Sequence, residues 1–112
     1  MRRNPLAEAL VDAGQIAFGT RAALADWLGS HRSQIMRVAE GHTLGTEAGW
    51  RLTSLSAVVM VLLALYEPDV VADWLHGNNP HLSHRRPVDV LASGDVASVM
   101  SAVQAARTGT FA

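Results

Sequence analysis

Residues 73–112 read DWLHGNNPHLSHRRPVDVLASGDVASVMSAVQAARTGTFA, and the order of turn residues and apolar residues in this stretch decides the fold of the C-terminal part. Pro87 fixes its own φ and disfavours helix directly before it, so a short helix over Val88–Ala92 can begin there. Asp89 lies in the first turn of that helix, where the helix dipole stabilises a carboxylate. The stretch therefore predicts a short helix with a sharp start.

A second, longer helix follows. Gly94 is a C-terminal stop residue for the short helix, and Asp95 has the side chain of an N-cap for the next one. Apolar residues then recur at helical spacing, at Val96, Val99, Met100 and Val103. Gly109 ends this helix and leaves the short tail Thr110–Ala112. An exposed Phe111 beside a free carboxylate is an unusual end for a monomer.

The order of these parts resembles the toxin-binding domain of the Xre/MbcA/ParS antitoxin family. The matching pieces, in chain order, are Trp74-Leu75, Asn79-Pro80-His81-Leu82, Arg85-Arg86-Pro87-Val88-Asp89-Val90-Leu91, Gly94 and Gly109-Thr110-Phe111-Ala112. No single piece is diagnostic, and the ordered combination is much more specific. The resemblance covers roughly the C-terminal half of the chain and, with the helix-turn-helix described below, most of the rest.

Length and composition set the class of the protein. A chain of 112 residues is one compact domain or two small units that share a core. It has no cysteine, which excludes disulfides and suits a reducing cytoplasm. The longest apolar run, Ala57–Leu65, is far shorter than the roughly 20 residues that cross a bilayer. We therefore expect a soluble cytoplasmic protein that does not enter a membrane.

The N-terminal part begins with a well-defined helix start, because Asn4 is an N-cap residue and Pro5 suits the first helical position. The spacing predicts a helix to about Ala13 that Gly14 terminates. Residues Gln15–Gly19 then read as a connector between this helix and the next.

The next segment predicts two helices joined by a tight glycine turn. Thr20 caps a helix over Arg21–Leu28, Gly29 breaks it, and Ser30 caps a further helix over His31–Glu40. Their buried contacts are predicted to come from Leu24, Ala25, Leu28, Ile35 and Val38. This arrangement resembles the DNA-binding helix-turn-helix, an Xre-like unit, and a plain helical hairpin with a solvated polar face is the alternative.

In a DNA-binding helix-turn-helix, the second helix lies in the major groove. The residues facing outward from it here are His31, Arg32, Ser33, Gln34 and Arg37. Arginine can pair with guanine and glutamine with adenine, while Arg21 at the start of the preceding helix is placed to touch a phosphate. With a net charge of −1, the chain offers few positive charges for contacts to DNA phosphates, so binding to an operator would need a dimer.

A long apolar helix is predicted over Thr46–Tyr66, with Thr46 as its N-cap. Its apolar residues occupy most of the circumference, at Leu52, Leu55, Val58, Val59, Leu62, Leu63 and Tyr66. Such a helix must be buried nearly all round, so we expect a central strut. Pro68 starts a further helix, with Val70, Val71, Trp74 and Leu75 inward. The sequence therefore divides into a helix-turn-helix unit, 1–45, and the long helix with the C-terminal domain, 46–112.

A group of histidines near the C-terminal half has both a metal-binding and a simpler interpretation. Three histidines, His76, His81 and His84, lie close in sequence to Asp73 and Asp89 and could form an open zinc site. Histidine is also common in loops, and no Glu stands at helical spacing to act as a base. There is no Gly-x-Ser-x-Gly elbow and no phosphate-binding glycine loop. We expect neither an enzyme nor a bound metal or cofactor.

The resemblance implies an all-α fold, a small helical bundle with the helix-turn-helix unit followed by a helical toxin-binding domain. It also implies a function as the antitoxin of a type II system, which binds a toxin with an RES domain, an enzyme that consumes NAD, encoded in the same operon. The C-terminal segment would occlude the toxin active site. Homodimers and repression of the antitoxin's own operon are common in this family.

Toxin-binding residues are predicted at positions that match the family pattern and at Arg107, two residues before the last matching piece. They are Arg85, Arg86, Pro87, Arg107, Gly109, Thr110, Phe111 and Ala112. Phe111 offers a ring and Ala112 a terminal carboxylate, so the tail could mimic the planar ring and negative charge of NAD. The pair Arg85-Arg86 has a structural alternative, in which it caps carbonyl groups of a neighbouring helix or is solvated.

Two other functional classes fit the same sequence. The first is a stand-alone helix-turn-helix transcription regulator, with the C-terminal domain used for dimerisation or ligand sensing. The second is a purely structural adaptor made of a helix bundle.

Overall fold

The computed structural model describes residues 4–38 and 40–109. Over these residues the chain forms seven α-helices and one short 3₁₀ helix. They are α1 (Pro5–Phe18), α2 (Arg21–Leu28), α3 (Arg32–Val38), α4 (Thr46–Leu63), α5 (Pro68–His76), the 3₁₀ helix Pro80–Leu82, α6 (Pro87–Ala92) and α7 (Val96–Arg107). The all-α prediction is confirmed for this part of the chain.

Helix α1 is longer than the sequence predicted. Its start is as expected, because the Asn4 side chain accepts hydrogen bonds from the next turn. The predicted stop at Gly14 is wrong, since the helix runs on to Phe18. A β-carbon at Gly14 would lie only 3.1 Å from side-chain carbons of Leu24 and Leu52. Glycine at this position therefore allows α1 to approach α2 and α4 closely, and does not end the helix.

The two helices of the helix-turn-helix unit were predicted with two corrections, both at α3. Thr20 caps α2 as expected and accepts from the Ala23 N–H at 3.1 Å, and Gly29 ends the helix with a φ of 73°. Helix α3 is shorter than His31–Glu40, since it spans Arg32–Val38. The prediction of Ser30 as its cap is wrong, because the Ser30 N–H closes the end of α2 by donating to the Ala25 carbonyl. The five residues expected to be buried between α2 and α3 are all buried: Leu24, Ala25, Leu28, Ile35 and Val38.

Helix α4 is the central strut, but its bounds and burial differ from the prediction. Gly45 occupies the N-cap without a side-chain bond, so Thr46 is the first helical residue and not the cap. The helix ends at Leu63, before Tyr66. It is not buried all round, since one narrow face that includes Met60 is exposed to solvent.

The C-terminal helices agree closely with the sequence. Helix α6 begins at Pro87 itself, and Asp95 caps α7 by accepting from both the N–H and the hydroxyl of Ser98. The sequence did not predict the short 3₁₀ helix at Pro80. Val70 was expected to face inward and is 42% exposed, because only one side of α5 meets the rest of the bundle.

The buried side chains form one hydrophobic cluster that runs from Val11 in α1 to Val103 in α7. Helix α4 contacts α1, α2, α5, α6 and α7, so most of the core is arranged around it. The division into units 1–45 and 46–112 stays a prediction, and the two parts share this core. None of the described helices combines the length and apolar character that a membrane crossing requires.

Candidate functional site

The second of the matching pieces, Asn79–Leu82, lies in a tight loop between α5 and α6. The Asn79 N–H donates to the Arg85 carbonyl at 3.1 Å, which closes the loop. The Asn79 side chain also accepts from the His81 N–H at 2.9 Å. Ser83 and His84 both have positive φ, of 58° and 64°, a region that side chains with a β-carbon rarely adopt. The loop is therefore held in a specific and strained shape that presents its polar residues outward.

Two arginines follow this loop and have different partners. The Arg85 Nε donates to the Leu82 carbonyl at 3.0 Å, and this hydrogen bond holds the Arg85 side chain against the loop. Arg86 forms a bidentate salt bridge with Asp89, with N–O distances of 2.8 and 2.9 Å. The hydrogen bond from Arg86 lowers the pKa of Asp89. Pro87 is buried directly after the pair. Arg86 therefore stabilises the start of α6, and its positive charge is paired with Asp89 of the same chain.

Arg107 and Gly109, which are also predicted to bind the toxin, lie at the far end of α7 from Arg85. Hydrogen bonds from Ser98 lower the pKa of Asp95, and the nearby positive charge of Arg85 adds to this effect. Arg85 is therefore close to the start of α7, whereas Arg107 is exposed at its end, about 18 Å along a 12-residue helix. Gly109 follows with a φ of 71°. Thr110, Phe111 and Ala112 lie outside the described residues.

A small cleft separates the end of α7 from the loop after α5. It has a volume of about 230 Å³. Its lining includes four residues of the matching pieces, Trp74, Asn79, Pro80 and His81, and three alanines of α7, Ala102, Ala105 and Ala106. The structure thus brings separate parts of the sequence pattern together around one concave surface, near Arg107 and the start of the tail.

The predicted DNA-reading residues lie on the exposed face of α3 and at its start. This face carries His31, Arg32, Ser33, Gln34 and Arg37. The Gln34 side-chain oxygen accepts from the His31 N–H at 3.1 Å, so it caps its own helix. Arg21 pairs with Asp12 at 3.4 Å, which offsets its charge. Met36 on the same helix is 56% exposed. The sequence did not indicate it as an outward residue, because an apolar residue in a short helix is expected to be buried.

A polar link that the sequence did not reveal joins the N-terminal unit to the C-terminal helices. The Trp27 Nε1 in α2 donates to the Val88 carbonyl in α6 at 3.2 Å. Arg51 in α4 donates to the carbonyls of Trp27 and Ala92, each at 3.3 Å. It also pairs with Glu47 at 2.9 Å. The three hydrogen bonds to backbone carbonyls join residues that are 24 to 61 positions apart, so no local pattern could have indicated the link.

Two of the three histidines considered as metal ligands have separate partners. The His76 Nε2 lies 2.7 Å from the Ala17 carbonyl oxygen, and the His81 Nε2 lies 3.1 Å from the Ser101 hydroxyl. His84 is on the strained loop. Across residues 4–38 and 40–109, no three histidine or acidic side chains are grouped so that they could hold a metal ion.

Comparison with known proteins identifies the fold. No protein-family model matches the chain, and no curated protein matches its sequence. The structure is similar to a chain in the crystal structure of the M. tuberculosis MbcT–MbcA toxin–antitoxin complex, with a TM-score of 0.81 and 24% sequence identity. The similarity covers 97% of this chain and 99% of that chain. This protein therefore has the all-α fold of a chain in that toxin–antitoxin complex, the architecture that the sequence resemblance implies.

Proposed function

We propose that this protein is the antitoxin of a toxin–antitoxin system. The observation that carries the proposal is the overlap of nearly the whole chain with a chain of a toxin–antitoxin complex. The ordered residues from Trp74 to the C-terminus favour the antitoxin over the toxin, because they match the pattern of an antitoxin family. In this role the protein acts by binding and not by catalysis.

The partner proposed is an RES-domain toxin that degrades NAD and is encoded in the same operon. The cleft beside α7 supports a contact at this end of the molecule, since it is concave and lined by residues of the family pattern. Arg107 is exposed next to it and suits an acidic or phosphate-binding surface. In the proposed complex, the tail that follows Gly109 enters the active site, where Phe111 and the Ala112 carboxylate mimic the substrate.

Co-expression with the product of the adjacent gene tests the proposal. We expect the neighbour alone to stop growth and lower intracellular NAD, and we expect co-expression to restore both and to give a complex that purifies as one species. A neighbour that is harmless and does not bind this protein would contradict the antitoxin function.

The role of the C-terminal end can be tested separately. Deletion of Gly109–Ala112 should leave the melting temperature unchanged and abolish neutralisation. Arg107→Ala should weaken toxin binding by about tenfold, since arginines often dominate interface energies. Gln104→Ala, which removes another exposed side chain of α7, is the matched control. Full neutralisation by the truncated protein would refute the proposal that the C-terminal tail occludes the toxin active site, while leaving the antitoxin function in place.

Autorepression by a homodimer is the second part of the proposal, and a stand-alone transcription regulator is the alternative. The exposed side chains of Arg32 and Arg37 on α3 favour DNA contact. We expect salt-sensitive binding to the promoter of the operon, with Arg32→Ala reducing the salt slope by about one. Promoter binding without any toxin partner would favour the stand-alone regulator. Binding that is equal for promoter and random DNA would exclude both.

A further inference from the structure

Six exposed residues of α4 and its C-cap form one regular stripe along the helix. They are Thr46, Trp50, Thr53, Ala57, Met60 and, at the C-cap, Ala64. Successive members are four and three residues apart in alternation, the spacing of the a and d positions of a coiled coil. We call these six residues the α4 seam. Trp50 is 43% exposed and Met60 is 60% exposed.

The α4 seam lacks the charge that a solvent-facing helix surface normally carries. Glu47 is the one charged residue among the exposed positions of α4, and it lies beside the seam and pairs with Arg51. By contrast, the outer positions of α7 are occupied by Ser101, Gln104 and Arg107. Exposed large apolar side chains such as Trp50 and Met60, placed on a stripe without charge, are typical of a protein–protein contact.

The seam is complementary to a second copy of itself. If two α4 helices pair antiparallel with the two-fold axis at the level of residue 55, Trp50 faces Met60 of the other copy, and Thr53 faces Ala57. Each pair then joins an a position to a d position, as in an antiparallel coiled coil. The large residues meet at both ends, where a thioether packs favourably against an aromatic ring. The small residues meet at the centre and let the helices approach.

We propose that the α4 seam is the homodimer interface of this protein and that the second copy packs antiparallel on it. The inference rests on the proposed function only for the existence of a homodimer, and it gives that dimer a surface that the predicted toxin-binding residues do not include. Helix α4 is about 27 Å long. One helix of this length covers less than the roughly 800 Å² per partner of a standard interface, so the dimer should dissociate in the micromolar range.

Sedimentation velocity over a concentration series of the full chain tests the proposal. We expect the mass to rise from one chain to two, and we expect Met60→Glu to weaken the dimer by about tenfold or more, because it buries a charge at the interface. The control is Leu6→Glu, which changes an even more exposed apolar residue on α1, 71% exposed, and should dimerise normally. Thermal melts would show that both variants are folded. A wild-type chain that stays monomeric at several hundred micromolar would overturn the seam.

Cysteine cross-linking tests the register, since the chain has no cysteine of its own. We expect an equimolar mixture of Thr53→Cys and Ala57→Cys to form a mixed disulfide faster than either variant alone. Faster cross-linking of Ala57→Cys with itself would overturn the antiparallel pairing. A monomeric protein that still neutralises its toxin would overturn the seam alone, whereas a dimer that fails to bind any toxin would contradict the proposed function alone.

Discussion

The inner face and the seam of α4 both lack charge but have very different surroundings. The inner face is formed by Leu52, Leu55, Val58, Val59 and Leu62, each at most 2% exposed. The α4 seam on the opposite side is also uncharged, yet each of its residues is exposed to solvent. The absence of charge alone therefore does not decide what a helix face does. The inner face drives folding, and the seam remains free for association.

The largest expected effect comes from placing the same charge on each face in turn. Leu62→Arg puts an unpaired guanidinium into the core and should cost more than about 4 kcal/mol, enough to unfold a small domain. Met60→Arg, two residues away and 60% exposed, should change the free energy of unfolding by no more than about 0.5 kcal/mol. Urea unfolding at low protein concentration measures both. A cooperatively folded Leu62→Arg variant would contradict the role assigned to the inner face.

A smaller effect is expected where α1 packs against the inner face. Gly14→Val would bring a branched side chain against Leu24 and Leu52, where a β-carbon alone already lies within 3.1 Å. We expect a loss of about 1–3 kcal/mol from overpacking. Gly49→Ala in α4 is the matched control, because its β-carbon would meet nothing nearer than 4.0 Å. That variant should be neutral or more stable by up to about 1 kcal/mol. Equal destabilisation by both substitutions would show that close packing at Gly14 is not the cause.

The flank of α4 carries the polar link between the two halves, and its loss should be milder still. Trp27→Phe keeps an aromatic ring near Phe18 but removes the hydrogen bond to the Val88 carbonyl. We expect a loss of about 1 kcal/mol or somewhat more, since this acceptor is then left without its protein donor. Native-state hydrogen exchange should show faster opening of α2 relative to α4 than in the wild type. An unchanged exchange pattern would mean that the link does not couple the two halves.

Local signals explain which parts of the fold could be predicted from the sequence. The helix starts at Asn4, Thr20 and Asp95 were correct because a cap bonds to residues two or three positions away. The start of α6 followed from the fixed φ of Pro87, since no side chain caps that helix. Gly14 was misread because a glycine that ends a helix and one that admits a neighbouring helix look the same in sequence. Tertiary packing alone distinguishes them.

The candidate sites show the same limit. Residues 31–37 were correctly expected to expose a polar surface, since outward positions follow from helical spacing. The partners of Gln34 and Arg21 depend on the position of neighbouring groups and were not foreseen. The α4 seam was hidden for a different reason. Neither the seam nor the inner face carries a charge, so periodicity did not show which one the rest of the chain leaves exposed.

The smallest effect concerns contacts that neither face of α4 reaches. The pKa values of Asp89 and Asp95 are lowered by hydrogen bonds from Arg86 and Ser98, respectively. A carboxyl whose folded-state pKa lies below its unfolded value, about 3.9, stabilises the fold above that value. This contribution is lost as the pH falls through the lowered folded-state pKa. We therefore expect the melting temperature to fall below about pH 4 more steeply in the wild type than in Asp95→Asn, which keeps a capping oxygen but no longer titrates. Asp26→Asn, an exposed carboxyl on α2, is the control and should follow the wild type. Identical acid profiles for wild type and Asp95→Asn would show that the charge of this cap does not contribute to stability.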